Sequence, residues 1–414
     1  MKVSKCKGMK DLSPGEMEIF RRVEGIYYDC CSRWGYREVR TPTIEYLHLF
    51  TSAGTLTPSR LGRVYSFLDW DGWSGERVVL KPDGTIPVAR LYTESYGDKR
   101  LARLFYSTNI FIFEETGEKT RERWQCGAEI IGAGSTAADT ELILLSLEAL
   151  KKLGLNGVEL RLSHAGLLKA LLDKPGLSRE ERNRLFSEIL DGNVDVLSRI
   201  KRDYPEIENT LLPLLNLKGQ SSGFIRNQRA LLIRDLPEIG PHLDDLLSTV
   251  TVLDELECPY RIDIASGAGF EYYTGMIFQL YVDGEKIGGG GRYDALIPSM
   301  GGGDVPASGL ALYLDQLVKL VNPDNLKIPG KNRVLVRASS ETTAAVKEIF
   351  KTAAKLREAG YIAEVSLDAG TPVDAGWTID VTDDPGAVFI TEEKTGKKSK
   401  VMDIDEAVSL IGEG

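Results

Sequence analysis

Four consecutive glycines, Gly288–Gly291, stand between a strand-like apolar run and the sequence RYDAL. No other stretch constrains the fold as much, because glycine accepts positive φ and lets backbone approach a ligand or neighbour closely. The run lacks the Lys-Ser/Thr of a phosphate-binding P-loop and the spacing of a dinucleotide-binding loop. Taken alone, it predicts a tight turn between a strand and a helix, with close ligand approach as the alternative. The preceding EYYTGMIFQLYV reads as a strand with Glu271 and Tyr273 on one face and Tyr272 on the other. Tyrosine offers an apolar body with a polar tip, which suits an aromatic ligand or the rim of a core.

The 414 residues suggest two or three domains, and the net charge of −10 argues against broad nucleic-acid binding. No apolar run is long enough to span a membrane, and MKVSKCKGMKDLSPGE has no signal-peptide core, so a cytoplasmic protein is expected. Cys6, Cys30, Cys31, Cys126 and Cys258 show no CxxC spacing, and His48, His164 and His242 show no metal-ligand spacing. Neither a metal nor a cofactor is expected.

Apolar periodicity predicts a helix over PGEMEIFRRVEGIYYDCCSRWG, started at Ser13-Pro14 and stopped at Gly35. YREVRTPTIEY then reads as a strand, RVYSFLDWDGWSGERVVLKPD as a hairpin with Asp71-Gly72 at its tip, and LARLFYSTNIFIFEE and RERWQCGAEIIG as two strands. TAADTELILLSLEALKKLG is a helix stopped at Gly154. A charged helical stretch over about residues 165–257 reads as an insertion, since strand character returns at Tyr260. SGLALYLDQLVKLV reads as a helix, and NPDNLKIPGKN as a linker. This gives one domain over residues 1–328 and a second over 329–414. The second opens with a βαβ pattern whose helix is predicted to bury Val346, Ile349, Phe350, Ala353 and Leu356, and two or three weak strands follow.

Three further motifs carry chemistry. KPDGTIPVAR offers Asp83 and Thr85 at a turn, either to receive an ammonium group or to make an Asx-type hydrogen bond. RERWQCGAE puts Arg121, Arg123, Gln125, Gly127 and Glu129 at period two, so a strand there has one polar face, either solvated or the floor of a site. EYYTG adds the tyrosine pair.

Taken in order, GMKDLSPGE, GYREVRTPTIEYLHLF, LKPDGTIPVAR, RERWQCGAEIIG, EYYTGMIF and GGGGRYDAL resemble the class II histidyl-tRNA synthetase family over nearly the whole chain. The resemblance implies an α+β fold: a six-stranded antiparallel sheet flanked by helices, with the helical insertion and a reduced C-terminal α/β anticodon-binding domain. It also implies a homodimer through the motif 1 region around Thr41-Pro42. By the same resemblance, Asp83 (where the family has Glu), Thr85, Gln125, Glu129, Glu271, Tyr272, Tyr273 and Tyr293 form a histidine pocket. Asp83 and Thr85 would hold the α-amino group, and the tyrosines would enclose the imidazole.

The departures from the family bear on function. Adenylate formation develops charge on phosphate and depends on fixed cations. Three positions where the synthetases place arginine carry Ile112, Ala268 and Gln316 here. Each missing donor of this kind costs about 10²–10³ in rate. A kept pocket without its cations resembles the inactive paralogue of this family, the regulatory subunit of ATP phosphoribosyltransferase. That paralogue partners a short catalytic subunit at the first step of histidine biosynthesis, and the resemblance implies L-histidine as ligand and no tRNA. Two alternatives stay open: a working histidyl-tRNA synthetase, and a synthetase-like paralogue with another ligand.

Overall fold

The computed structural model describes residues 4–412 apart from 53–60, 63, 71–74, 98–100, 113–119, 174–177, 179, 183, 186–201, 203–217, 235, 265–271, 324–325, 327–332, 341, 368–374 and 383–387. The chain forms two compact units, Met1–Leu326 and Lys327–Gly414.

The first unit is built on a nine-stranded sheet. Six strands at its centre are mutually antiparallel, in the order Ala102–Phe111, Glu122–Ile131, Ala307–Tyr313, Glu285–Arg292, Met276–Val282 and Glu159–His164. Arg37–Glu38 adds in parallel at one edge, and Arg261–Asp263 and Lys218–Gly219 extend the other. The expected six-stranded antiparallel core is therefore present. A separate three-stranded sheet joins Ile44–Tyr46, Gly75–Leu80 and Ser66–Trp70.

The Gly288–Gly291 turn expected from sequence is overturned. These residues lie within the strand Glu285–Arg292, in the middle of the sheet. A Cβ at Gly289 would lie 2.5 Å from the Phe278 carbonyl oxygen, and one at Gly291 2.5 Å from that of Met276. The glycines thus serve close approach of neighbouring strands rather than a change of direction. The helix expected over SGLALYLDQLVKLV is also corrected: Ala307–Tyr313 is a strand, and only Leu314–Leu320 is helical. Small residues inside an apolar run had hidden a buried strand, which periodicity alone does not separate from a helix. YREVRTPTIEY is two short strands in different sheets, Arg37–Glu38 and Ile44–Tyr46.

Helices Pro14–Arg33, Thr136–Lys152 and Gly240–Glu255 cover one face of the large sheet. The first starts where expected, at a capping box of Ser13 and Glu16, and Gly35 follows it at φ +81°. Under these helices Arg292 pairs with Asp139 and, at 3.1 Å, with Asp245. Asp245 in turn accepts from His164 Nε2 at 3.0 Å, while His164 Nδ1 accepts from the Leu167 amide at 3.2 Å. Each charge buried on this back face has a partner, as burial requires.

The second unit has a five-stranded sheet, in the order Ile362–Val365, Arg333–Ala338, Trp377–Val381, Val388–Glu392 and Lys398–Val401. The βαβ reading holds: Arg333–Ala338 and Ile362–Val365 are parallel and joined by the helix Thr343–Glu358. That helix buries Ala345, Ile349, Thr352, Ala353 and Leu356, whereas Val346 and Phe350, expected in the core, are exposed. The buried stripe is rotated by about one residue, which the small side chains of Ala345 and Thr352 permit by letting the helix sit close to the sheet.

Adding a methyl group at Gly290 would drive it into the Gly309 carbonyl and the Phe278 ring. Gly290→Ala is expected to destabilise the protein by about 1–3 kcal/mol, as overpacking does, read from urea denaturation. A change within about 0.5 kcal/mol, usual for surface sites, would show that the strand has room there.

Candidate functional site

The other face of the large sheet is left to a polar pocket, which the strand register builds. Glu129 stands opposite Leu104 and Gly309, Gly127 opposite Tyr106 and Ala311, and Gln125 opposite Thr108 and Tyr313. Gly309 and Ala311 stand opposite Gly291 and Gly289. Opposed residues share a face, so Tyr106, Gln125 and Glu129 rise beside a floor of glycines and one alanine. The clearance is tight: a Cβ at Gly84 or Gly127 would overlap the Tyr106 ring, and one at Gly309 the Glu129 carboxylate.

Glu129 is completely buried. Its Oε1 accepts from Tyr106 Oη at 3.1 Å, and its Oε2 accepts from Tyr293 Oη. Tyr106 Oη also lies 3.4 Å from Thr85 Oγ1 and accepts from Gln125 Nε2 at 3.5 Å. The Tyr272 ring lies 5.2 Å from Tyr273 and meets Tyr293 edge-on at 5.5 Å. Asp83 and Thr85 arrive at the start of the helix Thr85–Ser95. Asp83 Oδ1 accepts from the Ile86 amide at 2.9 Å, the Asx-type bond expected as one reading. Its Oδ2 and the Gln125 Oε1 are buried without a hydrogen-bond partner. Such acceptors are costly to leave unmade, and they invite a donor from a ligand.

Burial, with Asp83 nearby, pushes the Glu129 carboxyl up to about 8, against the hydrogen bonds of Tyr293, Thr85 and Tyr106. Burial also pushes Asp83 up to about 6, opposed by the Ile86 and Thr85 amides and by Lys81. Lys81 is itself buried, which brings its amine down to about 8, and its Nζ donates to Thr41 O at 3.3 Å and Thr41 Oγ1 at 3.2 Å. The pocket is thus rich in acceptors, and a bound cation would favour the ionised form of its carboxyls.

The structure brings Asp83, Thr85, Gln125, Glu129, Tyr272, Tyr273 and Tyr293 together. Tyr272 and Tyr273 do not alternate along a strand as expected, because the strand begins only at Met276 and both rings are buried ahead of it. Glu271 and Ala268 lie outside the described residues, as does the hairpin tip Asp71-Gly72. Ile112 closes the strand Ala102–Phe111, its amide donating to Arg121 O at 2.9 Å. Gln316 lies in the helix Leu314–Leu320, with its amide oxygen buried and without a partner. Sequence reasoning missed Tyr106, which joins Thr85, Gln125 and Glu129. The glycines at 84 and 127, both emptied to admit its ring, are the signal that could have found it.

This sheet and pocket define a class II synthetase-like protein, and comparison with known proteins agrees. The histidyl-tRNA synthetase family matches residues 8–317, and the chain belongs to that family. Two Dehalococcoides mccartyi proteins named ATP phosphoribosyltransferase regulatory subunit are similar to it: one 48% identical over 92% of this chain and 91% of its own, the other 47% identical over 95% of each. A histidine–tRNA ligase of Methanocaldococcus jannaschii is 31% identical over 88% of this chain and 86% of its own. Among solved structures, an ATP phosphoribosyltransferase regulatory subunit/histidyl-tRNA synthetase from Bacillus halodurans superposes with TM-score 0.78 at 25% identity, covering 93% of this chain and 99% of that one.

The buried Glu129 predicts a pH dependence of stability. Its folded pKa lies above the ordinary carboxyl value, so the stability it lends is complete below about 4.5 and is lost as pH rises through about 8. Melting temperature should therefore fall less steeply between pH 6 and 9 for Glu129→Gln than for the unaltered protein. Parallel curves for the two would show that the carboxyl does not titrate there.

Proposed function

We propose that the chain is the non-catalytic regulatory subunit of an ATP phosphoribosyltransferase. It binds free histidine and works with a separate short catalytic subunit at the first step of histidine biosynthesis. One observation carries this reading: an acceptor-rich pocket around Glu129 and Asp83 is kept, while Ile112 and Gln316 stand at positions where the family's adenylation chemistry calls for arginine. An acceptor pocket binds the ammonium and imidazole N–H groups of histidine. Without those arginines it lacks the cations that adenylation chemistry uses to stabilise charge on phosphate. The identity of 47–48% to proteins named regulatory subunits supports the same reading.

Calorimetry should detect histidine binding with release of protons, since a cationic ligand draws Glu129 and Asp83 toward ionisation. Asp83→Asn and Glu129→Gln should each weaken it at least about tenfold, as loss of a charged hydrogen bond does. Absence of any heat up to millimolar histidine would sink the assignment. Histidine-dependent pyrophosphate exchange from ATP would instead restore the synthetase reading. Regulation requires histidine to bind one assembly state better than another. Assembly with the short catalytic subunit, with and without histidine, tests that part.

The same reading makes the protein a cytoplasmic homodimer through its motif 1 region. Ile44, Tyr46 and Phe67 of the three-stranded sheet are exposed on one face, and Tyr46 and Phe67 both pair with Val78. An apolar sheet surface of this kind suits an interface. Tyr46→Glu is expected to shift the mass in light scattering from dimer toward monomer, and an unchanged mass would place the interface elsewhere. Residues 1–328 form the synthetase-like domain, with its helical insertion at about 165–257. Residues 329–414 are a reduced anticodon-binding domain that reads no tRNA.

A further inference from the structure

We infer that Lys286 holds the carboxylate of the ligand, at the end of the pocket away from Glu129. The inference rests on the amino-acid reading above and names a residue that reading did not include. It starts from an irregularity in the sheet. Along Glu285–Arg292, Gly291 pairs with Ile277 and Gly289 with Gln279, both on the pocket face. Strict alternation would turn Ile287 to that face and Lys286 to the back. The register shifts between Leu280 and Tyr281, and Tyr281 pairs with Lys286. A one-residue slip exchanges the two faces, so Lys286 stands on the pocket face beside Tyr281. Bulges next to binding sites re-aim side chains in this way.

The side chain reaches somewhere definite. A narrow crevice is floored by Gly289, Gly290 and Ala311 and walled by Tyr273, Tyr313 and Lys286. Among the described residues lining it, Lys286 is the one cation. Tyr273 connects this crevice to the acceptor pocket: its ring packs on Tyr272, which packs on Tyr293, which donates to Glu129. Tyr313, on the far wall, stands opposite Gln125 in the neighbouring strand. Across a glycine floor the face therefore runs from buried carboxyls at one end to an ammonium at the other.

That polarity matches a zwitterion. An α-amino acid carries an ammonium that Asp83 and Gln125 can accept from, and a carboxylate that needs a positive partner. Gly289 and Gly291 lower the floor between the two ends, and the glycine run begins at the bulge that turns Lys286 inward.

The test compares histidine with histidinol, in which a hydroxymethyl group replaces the carboxylate, by calorimetry on the full chain. The unaltered protein should bind histidine the more tightly. Lys286→Met should weaken histidine by about ten- to hundredfold, the range for a charged hydrogen bond, and should change histidinol by less than about threefold, well short of that range. Lys286→Arg should keep the preference for histidine. Lys286→Gln replaces Lys286→Met if melting curves show that the latter does not fold. Equal binding of the two ligands by the unaltered protein, or equal weakening of both in the variant, overturns the Lys286 assignment and leaves the histidine reading standing. Binding of neither ligand by the unaltered protein overturns that reading itself, and this one with it.

Discussion

A carboxyl group buried with hydroxyl donors and, among the described residues, no basic side chain bonded to it organises the pocket face of this protein. Glu129 stands in the centre of the large sheet, with Tyr106 on one oxygen and Tyr293 on the other. Gly309 and Gly127 are kept without side chains because Glu129 and Tyr106 occupy the space. The glycines of Glu285–Arg292 continue that clearance across the sheet. Replacing the carboxyl with an apolar group would leave two buried tyrosine hydroxyls without an acceptor, so the group is held in place by its neighbours as much as it holds them.

The two faces of the sheet treat charge differently, and the contrast separates structure from function. Behind the sheet, Arg292 is closed in by Asp139 and Asp245, and Asp245 by His164. Removing Arg292 there would leave Asp139 buried without its ion-pair partner, at a cost of about 3–5 kcal/mol. On the pocket face, Asp83 and Gln125 keep acceptor atoms buried and unmatched, and burial raises both carboxyls, Glu129 to about 8 and Asp83 to about 6. A fold that completes its ion pairs on one side and leaves acceptors open on the other marks the second side as the candidate site.

Much of this was legible in sequence where local chemistry decides the outcome. Ser13, Glu16 and Gly35 bound the first helix through their own caps, and Gln125, Gly127 and Glu129 declare a polar face by period two alone. The βαβ pattern of the second unit was readable for the same reason. What could not be read depends on neighbours distant in the chain. Gly288–Gly291 look like a turn until the carbonyls of Met276, Phe278 and Gly309 are placed against them. Ala307–Tyr313 looks helical until both of its flanks are filled by strands. Tyr106 looks like core until Gly84 and Gly127 are seen to be cut away for it, and the side to which Lys286 points is set by a bulge that leaves no mark in composition.

The position of Asp83 bears on how a binding event here could be felt elsewhere. Only Lys81 and Pro82 separate it from Leu80, the last residue of a strand in the three-stranded sheet, and Leu80 pairs with the exposed Ile44. Lys81 ties the segment down twice more: its amide donates to Thr43 O at 3.0 Å, and its Nζ bonds Thr41. A ligand that shifts Asp83 must therefore move the backbone between Thr41 and Ile44 or break these bonds. Proximity alone is not coupling, because coupling needs two arrangements of the linking element with different ligand affinities. Under the proposed reading, a ligand held at Asp83 would sit only a few residues from the exposed sheet around Ile44, which gives binding a short route by which to affect subunit assembly.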